Sequence, residues 1–238
     1  MNRIVQVIDV GCMPYETAWM LQKQIVAAKR QRPFPDILLL AEHPPVYTIG
    51  RRGGEQHLLL SKELLAERGI PIFNVERGGD ITFHGLGQLV GYPILNLKYF
   101  RTDVHWYLRQ LEEVIMATLR QFHMDAKRWP GLTGVWVGDA KVAAIGISVH
   151  GWITMHGFAL NISTDLTHFD DIVPCGIRGK RVGAMASCLG KPIQRQAVAE
   201  TLINAFGAVF ETEIQVSSAR ELDMALEFAS PADHCANV

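Results

Sequence analysis

The 238-residue sequence has few cysteines, and their arrangement excludes several classes of protein. None of the four forms a Cys-x-x-Cys pair, and the nine histidines form no His-Glu-x-x-His motif. Scattered single cysteines argue against a zinc framework and against a secreted fold held together by disulfides. We therefore expect a cytoplasmic protein that binds no metal and needs no cofactor of that kind.

Charge of one sign and long hydrophobic runs are also missing. The net charge is −1, whereas proteins that bind nucleic acid or anionic membranes usually carry a basic patch. No apolar run approaches the roughly 20 residues that span a bilayer. The first ten residues have the pattern of a strand and lack the layout of a signal peptide. Neither nucleic acid nor a membrane is an expected partner.

The apolar periodicity predicts a single α+β domain over residues 1–238, with a frayed tail from about residue 230. The sheet is expected to be mixed or mainly antiparallel and flanked by helices. Helices are predicted at 15–31, 62–68, 103–123, 194–206 and 219–227. Strands are predicted at 1–10, 37–41, 72–75, 81–84, 89–97 and 213–216, with a three-stranded meander over 134–162 and a loop or extended segment over 43–54.

A glycine-rich segment at 77–88 reads Arg-Gly-Gly-Asp-Ile-Thr-Phe-His-Gly-Leu-Gly-Gln. Its spacing matches neither the P-loop nor the Gly-x-Gly-x-x-Gly fingerprint, so a nucleotide site is not indicated. Glycines in strands commonly mark bulges, and a glycine-rich hairpin with a structural His84 is the simpler interpretation. A loop that approaches a ligand closely is the alternative.

The meander predicts a patch of small side chains. If His150-Gly151 is a two-residue turn, the facing pairs are Val149–Trp152, Gly146–Met155, Ala144–Gly157 and Val142–Ala159. The last three pairs then share one face, with Ala144, Gly146, Gly157 and Ala159 at its centre. Such a patch allows either a closely packed helix or a groove for an apolar acyl chain. This register sends Lys141 to the opposite face, unless it lies at a strand end or beyond a bulge.

A lone cysteine, Cys175, stands in the turn Ile-Val-Pro-Cys-Gly-Ile. A cysteine beside a lysine such as Lys141 suits acyl transfer through a thioester, because a nearby ammonium lowers a thiol pKa. Each residue alone has a simpler interpretation, as a buried apolar side chain and a charge at a strand edge. Cys12, Cys188 and Cys235 lack comparable surroundings and are interpreted as inert.

Five blocks of the chain resemble the lipoyl(octanoyl) transferases, in the order of that family. They are residues 42–51, 77–88, 141–149, 156–162 and 172–177. The resemblance implies a biotin/lipoyl protein ligase-like fold and a cofactor-free transfer of octanoyl from octanoyl-acyl carrier protein to a lipoyl-domain lysine. The implied acceptors are the E2 subunits of 2-oxo acid dehydrogenases and the glycine cleavage H protein. This reaction is the first step of endogenous lipoate biosynthesis.

The resemblance also implies the roles of individual residues. Cys175 would carry the acyl thioester and Lys141 would lower its pKa, with Lys141 or, less favourably, His84 as base toward the acceptor lysine. The substrate would be lined by Arg77, Gly78, Gly79, Asp80, Ile81, Thr82, Phe83, His84, Ala144, Ile145, Gly146, Gly157, Phe158 and Ala159. Two departures stand out: Leu86 replaces the family's usual proline, and Gly183-Ala184 replaces a Thr-Ser pair.

Two other functions are compatible with the same fold. An ATP-dependent lipoate or biotin ligase keeps the lysine but needs no acyl-bearing cysteine. An inactive module that binds carrier proteins would need neither. Because both carriers are typically acidic, we expect basic side chains near the mouth of the site: Arg51, Arg52, Arg178, Lys180 and Arg181.

Overall fold

The computed structural model describes residues 3–173 and 181–227; Cys175 and the predicted tail lie outside them. The strands are β1 (Arg3–Cys12), β2 (Asp36–Glu42), β3 (Val46–Ile49), β4 (Ile72–Asn74), β5 (Ile81–His84), β6 (Gln88–Ile94), β7 (Ala126–Trp129), β8 (Leu132–Val137), β9 (Ala140–His150), β10 (Ile153–Asn161), β11 (Arg181–Val182) and β12 (Thr212–Val216). The helices are α1 (Tyr15–Gln31), α2 (Lys62–Glu67), α3 (Val104–Gln121), α4 (Met185–Leu189), α5 (Arg195–Phe210) and α6 (Ala219–Glu227). No described helix is long and apolar enough to cross a bilayer.

Most strands join one large mixed sheet in the order β12-β1-β2-β6-β10-β9-β8-β7, with β11 added beside β9. Strand β1 pairs in parallel with β2 and β12, whereas the path from β2 to β7 is antiparallel throughout. A second, three-stranded sheet has the order β4-β3-β5. The prediction of a mixed, mainly antiparallel sheet flanked by helices is confirmed.

The two faces of the large sheet carry separate cores. Helices α3 and α5 cover one face, where Leu111, Ile115 and Leu119 follow the helical spacing of a buried stripe. Helix α1 covers the other face, with Ala18 and Ile25 against β2, β6 and β10. Strand β9 therefore contributes alternate residues to two different environments.

The hairpin of β9 and β10 differs from the predicted register. The turn is Gly151-Trp152, both residues with positive φ (61° and 69°), so His150 pairs with Ile153. Gly146 consequently faces Gly157, and Ala144 faces Ala159. A two-residue turn of this kind needs positive φ at both positions, and tertiary contacts hold Trp152 there. Its carbonyl accepts the Leu97 N–H at 2.7 Å, and its ring packs against the α3 core.

A bulge in β9 provides a second correction. Val135 pairs with Ala143 while Trp136 pairs with Lys141, so Val142 is an extra residue without its own partner on β8. The Val142 side chain packs in the α3 core and not on the predicted small-residue face. Beyond this bulge the alternation of β9 changes, which removes the predicted obstacle to Lys141.

The segment 43–54, predicted as a loop or extended segment, is extended in its middle, where it forms β3. All four residues of this strand are buried, and Thr48 faces Thr82 across to β5. Four residues are too few to distinguish a strand from a buried loop by periodicity. The pairing places His84, the last residue of β5, opposite Val46.

A buried ion pair joins the end of α1 to the start of β2. Lys29 Nζ lies 2.6 Å from Asp36 Oδ1, and both side chains are less than a tenth exposed. Asp36 Oδ1 also accepts the Asn96 N–H at 2.8 Å. Burial lowers the pKa of Lys29 and raises that of Asp36, while the pairing opposes both effects.

Replacing Lys29 by methionine should destabilise the fold, because Asp36 would be left buried without its cation. We expect the free energy of unfolding to fall by about 3–5 kcal/mol at pH 7, measured by urea denaturation. Lys191→Met, at an exposed position, is the control and should change it by less than about 0.5 kcal/mol. Equal stabilities of the two variants would contradict the assignment.

Candidate functional site

A pocket lies on the α1-facing side of the β9–β10 hairpin. Its empty volume is about 460 Å³, counting the space open to solvent at its mouth. Ten of the predicted substrate residues line it: Arg77, Gly79, Thr82, His84, Ala144, Ile145, Gly146, Gly157, Phe158 and Ala159.

Two of these ten residues have side chains that pack on the other side of the sheet. The side chains of Ile145 and Phe158 belong to the core on the α3 side of the sheet. The small residues that flank them along each strand lie on the pocket side, because side chains alternate between the two faces of a strand. Discrimination among ligands therefore depends on the small residues and on the walls opposite them.

The glycines of the small patch allow close approach of other backbone segments. A Cβ atom on Gly146 would lie 2.8 Å from the Gly78 carbonyl oxygen and 3.0 Å from Arg77 Cδ. A Cβ on Gly157 would collide with the carbonyl oxygen of Gly91 and lie 2.6 Å from Pro93 Cδ. The close contacts at these glycines are with the glycine-rich segment and with β6, and not with the helix that was one of the two predicted alternatives.

Four predicted substrate residues do not line this pocket. Ile81 and Phe83 point into the core of the small sheet. Asp80 accepts the Ile81 N–H at 2.7 Å and lies 2.5 Å from His57 Nδ1. Gly78 donates its N–H to the Ile147 carbonyl at 2.8 Å and so ties the glycine-rich segment to β9.

Sequence reasoning did not assign four further lining residues: Tyr15, Val90, Tyr92 and His156. The ring of Tyr15, the first residue of α1, stacks on His84 with centroids 5.7 Å apart. Tyr92 hydrogen-bonds His43 through its hydroxyl at 2.7 Å. No sequence signal marks Tyr15, Val90 or Tyr92, because the helix and β6 meet the hairpin only in the fold.

His156 is the first residue of the resembling block 156–162, and the sequence predicts no role for it. It has φ = 59°, a left-handed conformation that is uncommon outside glycine and often marks a functional position. Its imidazole is 2% exposed, with Nε2 3.6 Å from a Glu76 oxygen. The nearby imidazole holds the pKa of Glu76 at about 2, and burial lowers the pKa of His156 itself.

A chain of buried hydrogen bonds leads from the pocket toward Lys141. His84 Nδ1 lies 2.8 Å from Gln88 Oε1, and the Gln88 amide nitrogen donates to Asn161 Oδ1 at 2.8 Å. Asn161 then donates to the Gly183 carbonyl at 2.9 Å, and the Gly183 N–H donates to the Lys141 carbonyl at 2.9 Å. The backbone of Lys141 is thereby held relative to the pocket wall.

These hydrogen bonds also determine which ring nitrogen of His84 carries the proton. Because the Gln88 amide nitrogen donates to Asn161 and to the Phe83 carbonyl, Gln88 Oε1 is the acceptor and His84 Nδ1 carries the proton. Burial lowers the pKa of His84 to about 3, with smaller contributions in the same direction from His43 and Arg77. At neutral pH the ring is uncharged and too weak a base for efficient proton abstraction.

Lys141 lies next to the small patch. Together with Gln88 and Asn161 it lines a smaller cavity, which shares Thr82, Ala144 and Ala159 with the main pocket. Its Nζ is 5.3 Å from the ring centroid of Trp136, which is fully buried. The bulge at Val142 is what allows Lys141 and Ala144 to line one cavity although three positions separate them.

The remaining predicted residues form two groups. Cys175, Arg178 and Lys180 fall outside the described residues, while Arg51, Arg52 and Arg181 are exposed. Val182 pairs with Lys141 through β11.

The two departures from the family pattern differ in their surroundings. Leu86 is 58% exposed. A Cβ on Gly183 would lie 2.8 Å from Ala140 Cβ. Residue 183 is therefore closely packed, and a threonine there would require movement of β9.

Residues 14–207 match the sequence profile described as the lipoyl protein ligase A/B catalytic domain. The chain belongs to this family. An octanoyltransferase of Synechococcus elongatus is 43% identical over 221 residues, covering 92% of this chain and 93% of that protein. One of Solibacter usitatus is 46% identical over 206 residues, covering 87% and 93%. The predicted resemblance is confirmed.

Solved structures show the same fold at low sequence identity. Lipoate-protein ligase A bound with ATP superposes with a TM-score of 0.75 at 18% identity, covering 95% of this chain and 92% of the other. A bipartite lipoate protein ligase of Thermoplasma acidophilum gives 0.74 at 17% identity, covering 95% and 90%. The ligase-like fold expected from the sequence is confirmed.

Substituting Gly146 by alanine should disturb the site, because the new methyl group meets the Gly78 backbone. We expect the free energy of unfolding to fall by about 1–3 kcal/mol, the usual cost of overpacking, measured by urea denaturation. Gly78→Ala is the matched control, since its Cβ finds only the Ile147 carbonyl at an ordinary 3.5 Å. The control should stay within about 0.5 kcal/mol of wild type. A larger loss in Gly78→Ala than in Gly146→Ala would contradict this geometry.

The low pKa of His84 should make the fold sensitive to acid. Unfolded, this histidine binds a proton near its ordinary pKa of 6.5, whereas folded it does so only near pH 3. The unfolded state therefore binds more protons between these values. As the pH is lowered through this range, the free energy of unfolding decreases by up to about 1.4 kcal/mol per pH unit. His84→Asn keeps a donor toward Gln88 and should show a shallower slope in urea denaturation between pH 7 and 5. Identical slopes would contradict a neutral buried His84.

Proposed function

We propose that this protein transfers an octanoyl group from octanoyl-acyl carrier protein to the lysine of lipoyl domains. The observation that carries the proposal is Lys141 at the edge of a small-residue pocket, in a chain 43% identical to an octanoyltransferase over 92% of its length. This transfer begins endogenous lipoate biosynthesis. We place it in the cytoplasm, where thiols stay reduced.

The pocket suits the acyl chain of the donor. Its walls are formed by Ala144, Gly146, Gly157 and Ala159 on one side and by the aromatic ring of Tyr15 on another. Burial of each methylene contributes about 0.8 kcal/mol before ordering costs. The remaining predicted lining residues, from Arg77 to His84, support the wall opposite the hairpin.

The proposed chemistry uses a cysteine thioester. The Cys175 thiolate attacks the donor carbonyl, the carbonyl–sulfur bond to the carrier breaks, and the carrier leaves as a thiol after taking up a proton. The acceptor lysine then attacks the new thioester, an amide bond forms, and Cys175 is released. Thioester exchange is nearly balanced in free energy and amide formation is downhill, so no ATP is consumed.

Lys141 is the cation proposed to favour the Cys175 thiolate. Support comes from its place beside the pocket and from its pairing with Val182, seven residues after Cys175 in sequence. The acceptor lysine must also lose a proton, since its ordinary pKa is about 10.4. His84 is a poor base for this step, because its pKa is about 3. Lys141 is therefore the proposed base among the described residues: its ammonium gives a proton to the departing carrier thiolate, and the neutral amine then accepts one from the acceptor lysine.

An ATP-dependent ligase is the less favoured alternative. The ligase structures share the fold at 17–18% identity, which speaks for architecture alone. The octanoyltransferases are at least 41% identical and cover most of the chain. The proposed partners are accordingly octanoyl-acyl carrier protein as donor, with the E2 lipoyl domains and the glycine cleavage H protein as acceptors.

The thioester mechanism is tested by intact mass after incubation with octanoyl-acyl carrier protein. Wild type should gain a single octanoyl group and lose it when lipoyl domain is added without ATP. Cys175→Ser should give no thiol-labile adduct, and Lys141→Met should acquire the group much more slowly.

Cys188→Ser provides the control for this experiment. Cys188 is another cysteine of the chain, and burial raises the pKa of its thiol. This variant should load and discharge as wild type does. Loading that persists in Cys175→Ser, or modification of the lipoyl domain only with ATP and free octanoate, would reject the proposal.

A further inference from the structure

The stem of Lys141 passes directly over Gly134 of β8. A Cβ atom on Gly134 would lie 2.6 Å from Lys141 Cε and 3.4 Å from Lys141 Nζ. It would also lie 2.6 Å from the Ala143 carbonyl oxygen. Cβ contacts this short essentially never occur, so any side chain at position 134 would displace the lysine. The missing side chain of Gly134 thus forms a slot for Lys141.

Glu112 of α3 fixes the backbone of this slot. Its side chain is fully buried, and Oε1 accepts the Gly134 N–H at 3.2 Å. Oε2 accepts from Arg109 Nη1 at 2.6 Å and from Arg128 Nε at 2.9 Å. A buried carboxylate is costly unless it is paired and hydrogen-bonded, and here two arginines pair with one oxygen while the other oxygen binds Gly134.

Gly134 departs from regular strand geometry where Glu112 holds it. Its φ of 133° is one that residues with side chains rarely adopt. The β8–β9 register then shifts between Val135 and Trp136, next to the bulge at Val142. Trp136, two residues beyond Gly134 and on the same side of β8, faces Lys141 with its ring. Gly134 and Trp136 therefore border the stem of Lys141 along β8.

We propose that Glu112 and Gly134 are positioning residues for Lys141. Glu112 anchors the Gly134 backbone to α3, and the slot at Gly134 directs the lysine stem toward the small cavity beside the acyl pocket. The inference rests on the proposed role of Lys141 in octanoyl transfer, and it adds what sets the position of that side chain.

The first test compares three glycine-to-alanine variants of the same region. Gly134→Ala should lower kcat by roughly ten- to a hundredfold, because small displacements of a catalytic group are costly, with KM for octanoyl-acyl carrier protein within about twofold. Gly131→Ala and Gly138→Ala are matched controls. Both positions have positive φ (77° and 60°) but open space where the Cβ would lie. Their kcat should stay within about twofold of wild type.

A second readout follows Lys141 itself. The rate at which acetic anhydride modifies Lys141, measured by peptide mass spectrometry on the folded protein, should rise severalfold in Gly134→Ala. It should not change in the two controls. A glycine with a merely structural role would lower stability without changing this rate.

Glu112 variants keep the inference testable if Gly134→Ala does not fold. Glu112→Gln retains an oxygen acceptor for the Gly134 N–H, whereas Glu112→Ala removes it. The glutamine variant should lose less kcat and show less Lys141 acetylation than the alanine variant. Equal values in both variants would overturn the inference.

The failure of the inference and of the proposed function are distinguishable. If wild type transfers octanoyl but Gly134→Ala matches it in kcat and in Lys141 acetylation, the positioning role is wrong and the function stands. If wild type transfers no octanoyl, the proposed function is wrong, and the acetylation rates alone decide the positioning role.

Discussion

Backbone contact at two glycines is the constraint on which the rest of the site depends. At Gly146 the glycine-rich segment lies against β9, and at Gly157 strand β6 lies against β10. Both approaches require that no side chain stand between the segments. They bring Arg77, Thr82 and the hairpin together from parts of the chain about seventy residues apart, and the pocket is the space left beside these contacts. Packing of this kind tolerates little change in volume.

The polar groups around the pocket differ in how deeply they are buried, and so in what they can do. His84, Gln88 and Asn161 are almost completely buried and hydrogen-bonded to one another, which makes them supports more than proton carriers. Networks of this kind rigidify a site when every member is satisfied. Lys141, less deeply buried, projects from the end of the network. Arg77, which also lines the pocket, is held in place as well, because its guanidinium donates to the Thr48 carbonyl at 2.7 Å.

The sequence predicted what depends on local pattern and missed what depends on tertiary contact. The spacing of apolar residues was sufficient to predict α1 and α3, because each helix buries one face. The apolar run was sufficient to predict β2, because both faces of this strand are buried. The hairpin register failed by two residues, since Trp152 takes positive φ only through its contacts with Leu97 and the α3 core. The prediction of the small patch was still correct, because a register shift of two residues leaves each side chain on the same face of the sheet. Tyr15 and Tyr92 were not predictable, since α1 and β6 reach the pocket from distant parts of the chain.

The bulge at Val142 has a consequence that can be expressed as parity. In a regular strand, two residues on the same side are separated by an even number of positions. Lys141 and Ala144 are separated by three positions, an odd number, yet line one cavity. An odd interval between two residues that line the same cavity therefore indicates that the strand contains an extra residue. If the bulge were kept and the interval were even, the lysine would instead lie on the opposite face of the strand.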